Sequence, residues 1–179
     1  MRLDLFDRLV DVAGEGFDLD IRIGDEIADH LIAKRLATNY RVLCASPGYL
    51  ARHGTPRQLA DLAAHQCLAI KERDHPFGVW RLTVRGETST VKVGGALSTN
   101  HGEVAVQWAL AGAGSCCARS GAGPLLASGK LKRVLPDALQ PANMWAVYPA
   151  RLAASAKVRV CVDFLADAFA HLNERANGG

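Results

Sequence analysis

Two rhythms of apolar residues run along this chain. Leu19, Ile21 and Ile23 alternate with Asp20 and Arg22, the period of a strand with one wetter face. Leu31–Leu36 and Arg41–Ala45 predict two further strands joined around Thr38-Asn39, and His65–Ile70 predicts a short one. Val79–Val84 and Thr88–Val93 predict a hairpin around Arg85-Gly86-Glu87, where glycine supplies the positive φ the turn needs. Gly94-Gly95 breaks the second arm, and Ala96–Ser98 continues as a strand toward Asn100. Leu131–Leu135 and Met144–Tyr148 predict two more strands. The helical rhythm appears over Asn100–Gly112, where Val104, Trp108 and Ala111 recur. Asn100 can cap that helix, Glu103 can complete a capping box, and Gly112 and Gly114 stop it. Ser155 opens a final helix whose Val158, Cys161, Phe164, Leu165, Ala168, Phe169 and Leu172 share one face. At the start, Leu3, Leu5 and Phe6 predict a strand and Arg8–Ala13 a short helix closed by Gly14 and Gly16. Asn173–Gly179 reads as a frayed tail. Strands alternating with helices give an α/β class.

The stretch VLCASPGYLARHGTP, Val42–Pro56, organises the rest. An apolar run leads to Ser46-Pro47, a capping residue followed by proline at the first helical position. A helix over Gly48–His53 follows and stops at Gly54. Thr55-Pro56 repeats the signal and predicts a second helix through Leu62. A strand that delivers its chain onto a helix start leaves backbone N–H groups at the strand's carboxyl end, where open α/β sheets bind ligands and small anions are favoured.

Composition narrows the class. In 179 residues, 49% hydrophobic and 22% charged, a packed core is expected rather than disorder. A formal charge of +3 with no Lys/Arg run does not argue for nucleic-acid binding; Arg81, Arg85 and Lys92 read as a solvated strand face. The five cysteines (Cys44, Cys67, Cys116, Cys117, Cys161) are odd in number and unpaired in spacing, which points to a reducing compartment. His65-x-Cys67 is the only close His/Cys pair, too few ligands for a zinc site, so no metal or cofactor is expected. The N-terminus has no apolar signal region and no run reaches membrane-spanning length; a cytoplasmic protein is expected.

Catalytic patterns are missing. There is no Gly-x-Ser-x-Gly elbow, and Gly112-x-Gly114 lacks the third glycine and the preceding strand of a dinucleotide fingerprint. The reading is a binding protein, not an enzyme.

Several segments together resemble LysR-type transcriptional regulators, in the right order. They are GFDLDIRIG (Gly16–Gly24), the Val42–Pro56 stretch, Trp80 opening a strand, and NHGEVAVQWALAGAG (Asn100–Gly114). LLASGKLKRVLP (Leu125–Pro136), VYPAR and KVRVCVDFL complete the set. The resemblance covers Leu3 to Leu172. It implies a two-lobed, periplasmic-binding-protein-like (type II) effector-binding domain with a ligand cleft between lobes. By analogy the first lobe takes residues 1–42 and 118–179, and the second 43–117. The first strand and first helix of the first lobe, and the helix-turn-helix with its linker helix, have no counterpart here, so DNA would be reached only through a segment this sequence lacks. That loss predicts a weakly stable first lobe.

The resemblance also implies the ligand. A small anionic effector, an organic acid or aromatic, would contact Arg22, Gly24, Ser46, Pro47, Thr99, Asn100 and His101, with a homo-oligomer or full-length relatives as further partners. Ser46 and Asn100 read equally as plain helix caps, Arg22 as an ion pair with Asp20 or Asp25, and His101 as an exposed first-turn residue. At Gly114–Gly123, GSCCARSGAG departs from the family's apolar strand and polar or aromatic turn. Two readings stay open there, a local shift of reading frame or ordinary divergence with Cys116 and Cys117 as small hydrophobes in a strand. Two other functions also stay open, a stand-alone solute-binding protein and a module that pairs with full-length regulators.

Overall fold

A computed structural model describes residues 2–6, 8–70, 78–119 and 122–177, with the side chains of 116–119 and 172–177 left outside it. The chain divides into two compact units. The larger holds residues 1–7 and 40–140, and the smaller holds 8–39 and 141–179.

The smaller unit is built on a three-stranded antiparallel sheet. Strands β1 (Asp20–Ile23) and β2 (Leu31–Ala37) flank β11 (Met144–Pro149), with Ile21 opposite Ala146 and Arg22 opposite Trp145. Helix α4 (Ala156–Asn177) covers one face. Val158 and Val162 pack there with Leu36 and Ala146, joined by Ile21, Tyr148, Leu165 and Phe169. Strand alternation puts Arg22, Trp145 and Val147 on the opposite face.

The larger unit holds an eight-stranded mixed sheet. Its order is β6 (Glu87–Lys92), β5 (Val79–Val84), β10 (Ala138–Pro141), β3 (Tyr40–Ala45), β8 (Ser115–Arg119), β4 (Cys67–Ile70) and β7 (Ser98–Thr99), with β9 (Lys132–Arg133) paired to β3. Both faces are covered, which is why β3 is a continuous apolar run rather than an alternating one. Leu43 and Ala45 face a core with Tyr49 and Leu50 of α1 (Pro47–His53), Leu62, Trp80 and Leu82. Cys44 and Leu68 face Ala105, Val106 and Ala109 of α2 (Gly102–Leu110), with Leu125 and Leu126 of α3 (Gly123–Ala127).

Most expected strands form, with ends moved by a residue or two. The hairpin turn is tighter than read: Arg85 and Gly86 have φ of 51° and 89°, a two-residue turn that lets β6 start at Glu87. Several expectations are corrected. Leu3, Leu5 and Phe6 form no strand, and Leu3 and Leu5 stay exposed. Arg8–Ala13 forms no helix. Asp11 Oδ1 accepts from Gly14 N–H, and its carbonyl from Glu15 N–H, so residues 12–16 close as turns. Thr55-Pro56 starts no helix. A 3₁₀ segment begins later, at Leu59–Ala64, where the Asp61 carboxylate accepts the backbone N–H of Arg57 and Gln58. Leu131–Leu135 shrinks to β9. Phe164 of α4 is exposed, and Val162 takes the buried place one residue pair away. The helix also continues over residues read as a tail.

The unit boundaries differ from the analogy. The chain returns to the smaller unit at Pro141, not at residue 118. β8 pairs with β3 over five residues, Arg41 to Ala45 with Arg119 to Ser115, and β9 and β10 belong to the same sheet. Residues 40–42 join the larger unit because β3 is one unbroken strand from Tyr40. The unusual SCCAR stretch is a regular strand in backbone terms. Ser120 and Gly121 lie outside the described residues.

Candidate functional site

Two strands of the larger unit end on helix starts, but at opposite ends of the sheet. β3 runs antiparallel to β8, while β4 runs parallel to both β8 and β7. Ala45 and Cys67 are both level with Ser115, whereas Thr99 is level with Ile70. Thr99 therefore lies about 10 Å further along the strands than Ala45, and about 14 Å across three strand spacings. Ser46-Pro47 and Asn100-His101 leave the sheet in opposite directions. The expectation that both helix starts open on one ligand place does not survive this register.

At the first end, Ser46 is a buried helix cap. Its Oγ accepts from Tyr49 N–H at 3.4 Å, and Pro47 takes the first helical position. Beside it lies an open depression of about 600 Å³, lined by Ser46, Pro47, Gly48, Arg52, Gly112 and Lys130, among others. Arg52 Nη2 donates to the Gly112 carbonyl at 3.0 Å, tying α1 to the end of α2. The Tyr49 hydroxyl accepts from Gln66 N–H at 2.9 Å and lies 3.1 Å from His65 Nδ1. Burial pushes the Tyr49 phenol above its ordinary range. His65 thus serves Tyr49. Cys67 instead faces the Leu62 carbonyl and Ser115 Oγ, each at 3.7 Å, and burial raises its thiol. The His65-x-Cys67 pair does not converge. Among the described residues no group of three or more His, Cys, Asp or Glu side chains could hold a metal ion.

At the second end, Thr99 closes β7. Its Oγ1 accepts from His101 N–H at 3.0 Å, a local turn that sets up the helix. The cap is His101 rather than Asn100, one residue later than the sequence suggests. His101 is exposed and gives the helix no side-chain hydrogen bond. The expected capping box therefore does not form, and Glu103 accepts from Gln107 Nε2 at 3.1 Å instead. Among the described residues, the cap residue of α2 thus gives its first-turn N–H groups no side-chain hydrogen bond, at the positive end of a nine-residue helix. Asn100 is exposed and has contacts of its own.

In the smaller unit, Arg22 lies on β1 and is buried. Its Nε and Nη2 donate to Asp20 Oδ2 at 3.1 and 3.0 Å, and Nη2 also to the Val10 carbonyl at 3.2 Å. The ion-pair reading left open by the sequence is the one that forms, with Asp20 as partner. Gly24 follows at φ 104°, a conformation that favours glycine, and its N–H donates to the Asn143 carbonyl at 2.9 Å. Among the described residues Asp25 pairs with no arginine. It accepts from Asn143 Nδ2 at 3.0 and 3.1 Å and from Trp145 Nε1 at 2.9 Å. Sequence reasoning missed Asn143 and Trp145, whose partner is more than a hundred residues away.

Comparison with known proteins gives this geometry a context. Residues 1–170 match the family described as "LysR substrate binding domain". The HTH-type transcriptional regulator DmlR of Escherichia coli is 58% identical over 172 residues, which is 95% of this chain and 56% of that protein. The HTH-type transcriptional activator TtdR of Escherichia coli is 49% identical over 167 residues, 93% of this chain and 54% of that protein. The full-length virulence activator AphB of Vibrio cholerae superposes with a TM-score of 0.76 at 26% identity, covering 94% of this chain and 57% of that one. The chain spans about half the length of the curated relatives it matches. Those relatives are named as regulators, which favours a sensing domain over a stand-alone solute-binding protein. The fold is the two-lobed, periplasmic-binding-protein-like one, and the chain belongs to the LysR substrate-binding-domain family.

Proposed function

We propose that this chain is the effector-sensing part of a LysR-type transcriptional regulator and that it binds a small anionic organic molecule. The family match over residues 1–170 carries the reading. The chemistry supports an anion. The α2 start, whose cap residue His101 makes no side-chain hydrogen bond to it, lies at the positive end of the helix dipole, worth up to about 1 kcal/mol for a negative charge. In the larger unit the contacts come from Thr99, Asn100 and His101. In the smaller unit, Gly24 at the end of β1 is by itself a candidate contact. Arg22 takes part only if a ligand carboxylate shares it with Asp20. Ser46 and Pro47 lie at the other end of their sheet, and we assign them to capping rather than to this ligand.

Binding would shift the balance between conformations, and the longer regulator would pass that shift to DNA through its oligomer. We place the protein in the cytoplasm, where such regulators act; no helix among the described residues is long and apolar enough to cross a membrane. A thermal-shift screen of small carboxylates and aromatic acids tests the reading. A saturable rise in melting temperature with one chemical class is expected. No shift across the screen, on a sample shown to be folded, contradicts it.

A further inference from the structure

Three segments of the smaller unit meet on one side chain. β1 ends at Ile23, β2 ends at Ala37, and Asn143 stands immediately before β11. Asn143 Oδ1 accepts from Asn39 N–H at 3.1 Å, and its Nδ2 donates to both oxygens of Asp25, at 3.0 and 3.1 Å. Its backbone carbonyl accepts from Gly24 N–H at 2.9 Å, and Ala142 N–H donates to the Asn39 carbonyl at 2.9 Å. Trp145 Nε1 completes the cluster by donating to Asp25 Oδ1 at 2.9 Å. An amide suits this place because it accepts from a backbone donor and donates to a carboxylate at the same time.

The position matters because the chain passes between its two units at Asn39–Tyr40 and again at Gln140–Pro141. Both passages are therefore anchored, on the smaller unit's side, around Asn143. The same residue holds the backbone of Gly24.

We infer that Asn143 and Asp25 are positioning residues for effector binding. They join the end of β1 and both chain passages into one rigid piece, so a ligand contact at Gly24 reaches both passages together. The role in binding rests on the effector reading above. The clasp itself does not, and it is tested without a ligand.

The test is amide hydrogen exchange on the full chain, compared across three variants. Asn143→Asp sets two carboxylates side by side and opens the clasp. Exchange at Gly24, Asn39 and Ala142 then rises together, about tenfold, and the Trp145 indole resonance moves. Asp25→Asn added to Asn143→Asp swaps amide and carboxylate, restores one amide–carboxylate bond and the acceptors for Asn39 N–H and Trp145 Nε1, and returns exchange to within about twofold of the parent. Asn143→Ser is the milder variant if the first does not fold, and it is read in the same way. Faster exchange at Asn39 alone, or a folded swap variant that restores nothing, overturns the clasp. With a carboxylate identified by the screen, Asn143→Asp weakens its binding about tenfold and the swap recovers it. Unchanged binding in a variant whose three amides have opened overturns the positioning role. If no carboxylate binds the parent chain, the effector reading and this binding role both fall, while exchange still decides the clasp.

Discussion

Arg22 and Asp20 pair through Nη2 and Oδ2 at 3.0 Å, with side chains only 7% and 15% exposed. At that burial, removing one partner leaves the other charge without compensation. Arg22→Ala and Asp20→Ala should each cost about 3 kcal/mol. Replacing both with apolar residues should cost much less than the sum of the two. Urea unfolding of the two single variants and the double variant measures this. Equal additive losses would mean that the pair contributes no coupling.

Glu15 offers a local electrostatic check. Arg8 Nη1 donates to its Oε1 at 2.7 Å, and this pairing, reinforced by the Asp11 N–H, holds the carboxyl at about 2. The folded value lies below the ordinary one, so the contribution is complete above about 4.3 and is lost as pH falls toward 2. NMR titration should find Glu15 near that value, and Arg8→Ala should return it toward the ordinary range.

Alkaline stability is set by burial. The Cys67 thiol and the Tyr49 phenol are both raised because their charged forms are desolvated. Above the ordinary thiol value of about 8.5, the folded chain keeps a proton that the unfolded chain releases, so stability falls as pH rises. Cys67→Ala should flatten the first part of that fall. Tyr49→Phe should flatten the part that begins near pH ~10. Thermal melts between neutral pH and the alkaline limb read both effects.

Two glycines let β4 sit where it does. A Cβ on Gly95 would meet the Cys67 carbonyl oxygen at 2.2 Å, and one on Gly114 would meet that of Gln66 at 2.5 Å. Both neighbours are backbone and cannot swing away. Gly95→Ala and Gly114→Ala should each destabilise the chain by about 2–4 kcal/mol, whereas Gly48→Ala, inside α1 where a Cβ meets nothing within 4 Å, should leave stability unchanged or raise it by up to about 1 kcal/mol. Chemical denaturation ranks the three.

What could be read from the sequence follows the range of the interaction that decides each element. β3, the hairpin and α1 are set by residues next to one another, and all three lie close to where the pattern puts them. Leu3 and Leu5 carry the same alternation, yet no strand pairs with them among the described residues. Alternation alone does not make a strand, because its backbone groups need a partner. Asn100 and Ser46 look alike in sequence, each at the end of a strand beside a helix. Only the register of four strands shows that they point to opposite ends of one sheet. The Asp25–Asn143 pair could not be read at all, since neither residue carries a local motif. The family, by contrast, was legible, because it rests on the order and spacing of many segments rather than on one contact.

A small anion held at the start of α2 is the feature to test first. A ¹H–¹⁵N NMR titration with a carboxylate found by the screen tests it most directly. Saturable shifts are expected at the amides of Thr99, His101, Gly102 and Glu103, with Gly48 and Tyr49 still. Shifts confined to Gly48, Tyr49 and Gly112, beside the depression at the other end of the sheet, would contradict it.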